Sequence, residues 1–244
     1  MTILNRQHHY IFIHVPKAAG KSVKSHLANC SFEQRSRIEL QLGQRLETLG
    51  SYAGGKPILS KLIPALLGPG IDPRLRSYCK AKGMRTSAHL TAAQLRDALG
   101  MEAFNAMYSF AFVRNPWDRC LSAYFYFRRK KLHPLHEAAK RLEFDVFLEE
   151  QEIQGMPFVG QQSWWLFSDK GEQLASFIGK VENISADMAI VQQHIGIEGA
   201  PFQTRTNVSQ DRARDYRGYY SSRALDVVNR AMSQDISQLG YQFE

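Results

Sequence analysis

Tyr10-Ile-Phe-Ile-His-Val-Pro16-Lys17-Ala18-Ala19-Gly20-Lys21-Ser22 opens on β-forming residues and closes on small and cationic ones. Tyr10 to Val15 is a short, mostly apolar run that suits a buried strand, and Pro16 ends it. A helix is expected to follow from Gly20 to about Ala28. Small residues between a buried strand and a helix N-terminus let successive backbone N–H groups converge on an anion, and the helix dipole favours negative charge there. Lys17, Lys21 and Ser22 add side-chain donors, so the stretch reads as a phosphate cradle. Taken alone, Gly20-Lys21-Ser22 also fits an ordinary helix start.

The strand, loop and helix order recurs downstream. Met84 to Ala88 is expected to be a short strand leading to His89, and Thr91 with Gln94 forms a capping box for a helix ending near Leu99. Tyr108 to Val113 is a second β-rich run, and Pro116 stands at the first turn of a helix reaching about Arg129. Leu174 to Val181 reads as a strand and Ser185 to Gly196 as a helix. Ser222 to Leu239 reads as a terminal helix with Leu225, Val228, Met232 and Ile236 on one face. Glu33 to Leu49 has helical apolar spacing, whereas residues 50–82 carry more Gly and Pro and read as an irregular insertion or lid. The alternation predicts a single α/β domain over residues 1–244: three layers, α/β/α, with a mostly parallel central sheet. Ligands of such folds sit beyond the carboxyl ends of the strands.

Composition narrows the partners. The 244 residues include 31 Lys plus Arg against 23 Asp plus Glu, a net charge of +8, which attracts anions such as nucleotides, acidic glycans or nucleic acid. The positive charge is spread along the chain rather than gathered with aromatics in one stripe, so no nucleic-acid partner is expected. Cys30, Cys79 and Cys120 are scattered and read as reduced thiols of a cytoplasmic protein. No apolar run reaches the roughly 18 to 20 residues that cross a bilayer, so no transmembrane segment is expected. The N-terminus reads as a strand rather than a signal peptide.

A second anion site lies in Phe110-Ala-Phe-Val-Arg114-Asn115-Pro116-Trp-Asp-Arg-Cys-Leu-Ser122. Arg114 follows the second strand, and with Asn115 as cap Ser122 lies about two turns into the next helix. The pair can grip one phosphate that rests against that helix. The first loop partly matches the Gly-x-x-x-x-Gly-Lys-Ser/Thr loop of P-loop NTPases, with Val15 in place of the first Gly. Those enzymes usually carry a magnesium-binding Asp where this chain has Arg114. An arginine there implies an extra anionic group, hence a nucleotide with two separated phosphates and no metal.

Pro16-Lys17-Ala18-Ala19-Gly20-Lys21-Ser22 resembles the 5′-phosphosulfate loop of sulfotransferases that use 3′-phosphoadenosine 5′-phosphosulfate (PAPS). Val113-Arg114-Asn115-Pro116-Trp117-Asp118-Arg119 with Ser122 resembles their 3′-phosphate motif. The similar branch is the carbohydrate group that includes heparan sulfate 2-O-sulfotransferase and bacterial relatives. Gly179-Lys180-Val181-Glu182-Asn183, Tyr219-Tyr220, and Asp235 with Gly240-Tyr241 are similar to its closing segments. The resemblance implies transfer of a sulfuryl group from PAPS to an acceptor hydroxyl, with a glycan or glycoconjugate as partner and no metal. It implies that Lys17 neutralises the leaving oxygen, that residues 18–22 hold the 5′-phosphate, and that Arg114 and Ser122 hold the 3′-phosphate. Asn207 and Ser209, in Arg205-Thr-Asn-Val-Ser209, resemble a loop that closes over the donor. Lys21 departs from the small residue of many relatives and offers a second cation for the 5′-phosphate, so the division of labour between Lys17 and Lys21 stays open.

His89, in a turn before a capped helix, is the expected base and resembles the catalytic His of that branch. The alternative is a His that caps or packs beneath the helix, and His14 is its rival. Gln162 and Trp164 in Gln161-Gln-Ser-Trp-Trp165 offer stacking and hydrogen-bonding groups for the acceptor or for an adenine pocket, and Arg128 in Arg128-Arg-Lys-Lys131 belongs to a basic run that fits either a solvated helix end or an acidic glycan. Two other readings stay open: a P-loop kinase or NTPase using ATP and magnesium, and a sulfotransferase acting on a lipid or phenol.

Overall fold

The computed structural model describes residues 2–30, 72–84, 87–150, 160–202 and 215–244. Its sheet has the order β1 (Ile3–Asn5), β2 (Tyr10–Ile13), β3 (Tyr108–Val113), β4 (Phe177–Lys180). β2 pairs with β3 and β3 with β4 in parallel, while β1 pairs antiparallel to β2, so the sheet is parallel in two of its three ladders.

Side-chain alternation divides the strands between two apolar clusters. Ile11, Ile13, Ala111 and Val113 join one side, with Leu95 and Leu99 of the helix Ala92–Leu99, Leu121 and Phe127 of Pro116–Arg129, and Val228 of Ser222–Ala231. Tyr10, Phe12, Phe110 and Phe112 join the other, with Val23 and Leu27 of the helix at residues 20–30 and Met188 and Val191 of Ile184–His194. Helices therefore cover both faces, which is why β2 and β3 are apolar almost throughout.

Local signals set several boundaries. Asn115 accepts from the backbone of Trp117 and Asp118 at 3.1 Å each, and Pro116 occupies the first helical position, whose N–H would have no intrahelical partner. The Thr91–Gln94 capping box closes with both of its hydrogen bonds, 3.1 and 2.9 Å.

Four expectations are corrected. Met84, Ser87 and Ala88 are not in a strand: the Met84 N–H closes the preceding helix on the Cys79 carbonyl, and Ala88 lies in a turn. The irregular segment assigned to residues 50–82 ends in a helix, Pro73–Ala81; Pro73 is its N1 residue and Asp72 its cap. Asp72 also pairs with Arg6 just beyond β1, tying this helix to the sheet. The terminal helix is two, Ser222–Ala231 and Ser233–Gln238, broken at Met232. The strand expected over Leu174 to Val181 is reduced to Phe177–Lys180. The helix expected over Glu33 to Leu49, and the rest of the 50–82 segment before residue 72, lie outside the described residues.

Candidate active site

The first loop turns between β2 and the helix at residues 20–30. Lys17 and Ala19 take positive φ, +65° and +55°, a conformation that costs a non-glycine residue on the order of 1 kcal/mol or more and persists only where surroundings enforce it. Two contacts enforce it here. Arg119, fully buried in the next helix, donates from Nε to the Pro16 carbonyl at 2.9 Å. The His14 ring lies against Gly20 so closely that a Cβ there would stand 1.9 Å from Nε2. Gly20 is thus required by packing.

Lys17 carries the most perturbed cation of the loop. Its Nζ lies 4.3 Å from the centre of the Tyr126 ring, in a cation–π contact. Burial, followed by the positive charges of Arg114, Arg129, Lys21 and Arg119, pushes its pKa from 10.5 down to about 7. Those four charges reaching one amine mean that the loop and the second motif face the same space. An anion entering it relieves both the desolvation and the repulsion. Lys21 is exposed and Ser22 partly exposed at the start of the helix, while Ala18 is buried and Ala19 partly so beneath the turn.

Arg114 leaves β3 one residue after its last ladder partner, Val113 opposite Lys180. Its guanidinium meets Asp118 on the next turn, Nε to Oδ2 at 2.6 Å. A phosphate arriving at Arg114 must share or displace that carboxylate. Ser122 is partly exposed within the same helix. The following backbone amide, Asn115 N–H, donates to Glu182 at 2.7 Å, and Glu182 accepts from the Tyr241 hydroxyl at 3.2 Å. The segments around Lys180 and Tyr241 therefore meet at this strand end, with Lys180 Nζ 4.5 Å from the centre of the Tyr241 ring.

His89 packs on His14, ring centres 4.7 Å apart, with Nδ1 3.4 Å from the His14 carbonyl oxygen. The preceding carbonyl, Ala88, accepts from the Thr2 amide at 2.8 Å, and β1 runs beside β2, so His89 reaches the carboxyl end of β2 from the side. Burial lowers the pKa of His89, which keeps the imidazole neutral at pH 7 and able to take a proton. Burial, chiefly, takes His14 further, to about 3, and its ring is spent against Gly20. His14 is the structural partner of the pair.

The expected acceptor residues divide. Gln162 is fully buried and engages the Arg114 backbone, so it does not present its amide to an acceptor. Trp164 is 52 % exposed, and its ring covers Gly160. Arg128 is exposed, with its guanidinium bonded to the Tyr124 hydroxyl at 2.6 Å and lying over that ring. Asn207 and Ser209 lie outside the described residues. Arg119, Asp235 and Glu182 stood in quoted motifs without a role, and each anchors the site. For Arg119 and Asp235, both fully buried, the signal was a charged residue at a position the helix pattern makes inward-facing, which is costly unless paired; Glu182 is exposed and carried no such signal.

The family model described as "Sulfotransferase family" matches residues 1–243. An uncharacterized protein of Archaeoglobus fulgidus is 28% identical over 122 residues, which is 50% of this chain and 94% of that protein. No solved structure matches the chain. Among the described residues no helix is long and apolar enough to cross a membrane.

Proposed function

Since this chain belongs to the sulfotransferase family, we propose that it transfers the sulfuryl group of PAPS to a hydroxyl of a carbohydrate, with His89 as the base. Family membership decides against the kinase reading. The observation that carries the proposal is the pair of cationic sites at the ends of neighbouring parallel strands, the loop 16–22 after β2 and Arg114 after β3. Adjacent strands bring these two sites within the span of one nucleotide carrying phosphates at both ends of its ribose.

The acceptor oxygen attacks sulfur, the bond between sulfur and the 5′-phosphate oxygen breaks, and adenosine 3′,5′-bisphosphate leaves. Negative charge grows on that leaving oxygen, and Lys17 in its protonated form neutralises it. The acceptor hydroxyl gives its proton to the neutral imidazole of His89. Backbone amides of residues 18–22, with the Lys21 and Ser22 side chains, hold the 5′-phosphate, and Arg114 with Ser122 holds the 3′-phosphate. Metal is not needed for charge neutralisation where several cations converge on one space. The half-exposed Trp164 and the exposed Arg128 favour a sugar face bearing acidic groups as acceptor.

Transfer of labelled sulfuryl from PAPS to a panel of glycans, phenols and sterols tests the proposal. Label on a glycan, lost in His89→Ala, is the expected result. Label confined to phenols or sterols overturns the acceptor assignment, and transfer that survives His89→Ala overturns the base.

A further inference from the structure

Arg114 presents an accounting problem. Beyond the end of the β3–β4 ladder its backbone N–H and C=O find no strand to pair with among the described residues. Gln162 supplies both partners: its Oε1 accepts from the Arg114 N–H at 2.9 Å and its Nε2 donates to the Arg114 carbonyl at 2.8 Å. A single buried amide thereby stands in for a further strand at this residue.

Gln162 is itself fixed. Asp235, fully buried, accepts from the Gln162 amide through Oδ2 at 2.7 Å and from the Ser163 amide through Oδ1 at 2.8 Å. Two residues earlier, the Gly160 carbonyl accepts from Arg119 Nη1 at 2.8 Å, and the same guanidinium holds Pro16 at the mouth of the first loop. The segment Gly160–Ser163 thus touches the first anion site through Arg119 and the second through Gln162, with Asp235 clamping it from the terminal helix.

The geometry points to Gln162 and Asp235 as positioning residues that fix the spacing of the two anion sites and so select nucleotides carrying both a 3′- and a 5′-phosphate. The inference rests on the reading of Arg114 as the 3′-phosphate ligand. Neither residue touches the donor. Both act through the Arg114 backbone, so their loss weakens recognition of the 3′-phosphate and leaves that of the 5′-phosphate intact. A guanidinium that must meet phosphate oxygens in a fixed fork tolerates little backbone displacement.

The test is calorimetric titration of the full chain with two probes, adenosine 3′,5′-bisphosphate and adenosine 5′-monophosphate. In Gln162→Met the bisphosphate affinity is expected to fall about tenfold or more, the size of one lost charge-assisted hydrogen bond, with the monophosphate affinity unchanged. Asp235→Asn, which keeps the volume and one acceptor, is expected to give a smaller loss of the same kind and decides the matter where Gln162→Met does not fold. An equal loss for both probes, or none for either, overturns the inference. Arg114→Ala separates the two levels. If it too leaves the ratio of affinities unchanged, the 3′-phosphate assignment fails and the inference with it. If it abolishes the ratio while Gln162→Met and Asp235→Asn do not, only the inference fails.

Discussion

Lys17 is expected to convert donor binding into a proton signal. Its pKa of about 7 in the free protein means that at pH 8 only about a tenth of the amines are charged. The causes of the depression are burial first, then repulsion from Arg114, Arg129, Lys21 and Arg119, and a bound phosphate offsets both. Raising the pKa by about two units is enough to charge about nine amines in ten at pH 8, an uptake of about 0.8 proton per adenosine 3′,5′-bisphosphate bound. At pH 6 the amine is already charged and uptake falls to about 0.1 proton or less. Neither His14 at about 3 nor His89, lowered below 6.5, titrates near pH 8, so neither obscures the signal. Titration calorimetry in two buffers of different ionisation enthalpy measures the uptake directly. Binding at pH 8 without uptake, or uptake that persists in Lys17→Met, refutes the reasoning. The same shift sets a sign for stability. The unfolded chain holds more protons than the native one between pH 7 and 10.5, so ligand-free stability rises with pH across that window. The ceiling on this effect is about 5 kcal/mol, and Lys17→Met removes the dependence.

Gly20→Ala forces a Cβ into the His14 ring and is expected to cost about 1–3 kcal/mol in denaturant unfolding, with partial recovery in the His14→Ala background. His89→Ala is expected to lower kcat by about 10²- to 10⁴-fold with little change in bisphosphate affinity. In the wild type, transfer rate is expected to fall on the acid side with an apparent pKa below 6.5, because the base must be neutral. Asn115→Ala removes the acceptor of two amides and is expected to cost about 1–2 kcal/mol in thermal unfolding. Arg119→Met removes a buried guanidinium that holds Pro16 and Gly160, and bisphosphate affinity is expected to drop even where the protein stays folded by circular dichroism.

Elements whose causes are local were legible. Tyr108–Val113 is apolar on both faces, Pro116–Arg129 has its cap and N1 proline side by side, and Thr91 and Gln94 cap each other across three residues. The place of the loop 16–19 between a strand and a helix, and of Arg114 at a strand end, was legible for the same reason, since each is set by its flanking strand and helix. Elements whose causes are distant were not. Residues 84–88 have strand-like composition, yet the Ala88 carbonyl pairs with Thr2, and the Met84 amide is taken by the helix before it. The apolar stripe Leu225, Val228, Met232 and Ile236 does face the core. Even so, the helix breaks at Met232, after which Asp235 lies buried against the amides of Gln162 and Ser163. Gln162 looked like acceptor chemistry beside two tryptophans because nothing in its neighbours showed that Arg114, 48 positions away, lacked backbone partners.

The sequence by itself determined the order of strand, loop and helix, the two cationic loops, and their place at strand ends, because apolar periodicity and capping act over a few residues. Only the tertiary structure decided which groups set those loops in place. Arg119 on Pro16, His14 on Gly20 and Gln162 on Arg114 are contacts between segments far apart in the chain or across a turn. Each exists because a buried polar group, or a backbone without a Cβ, must find its partner in space.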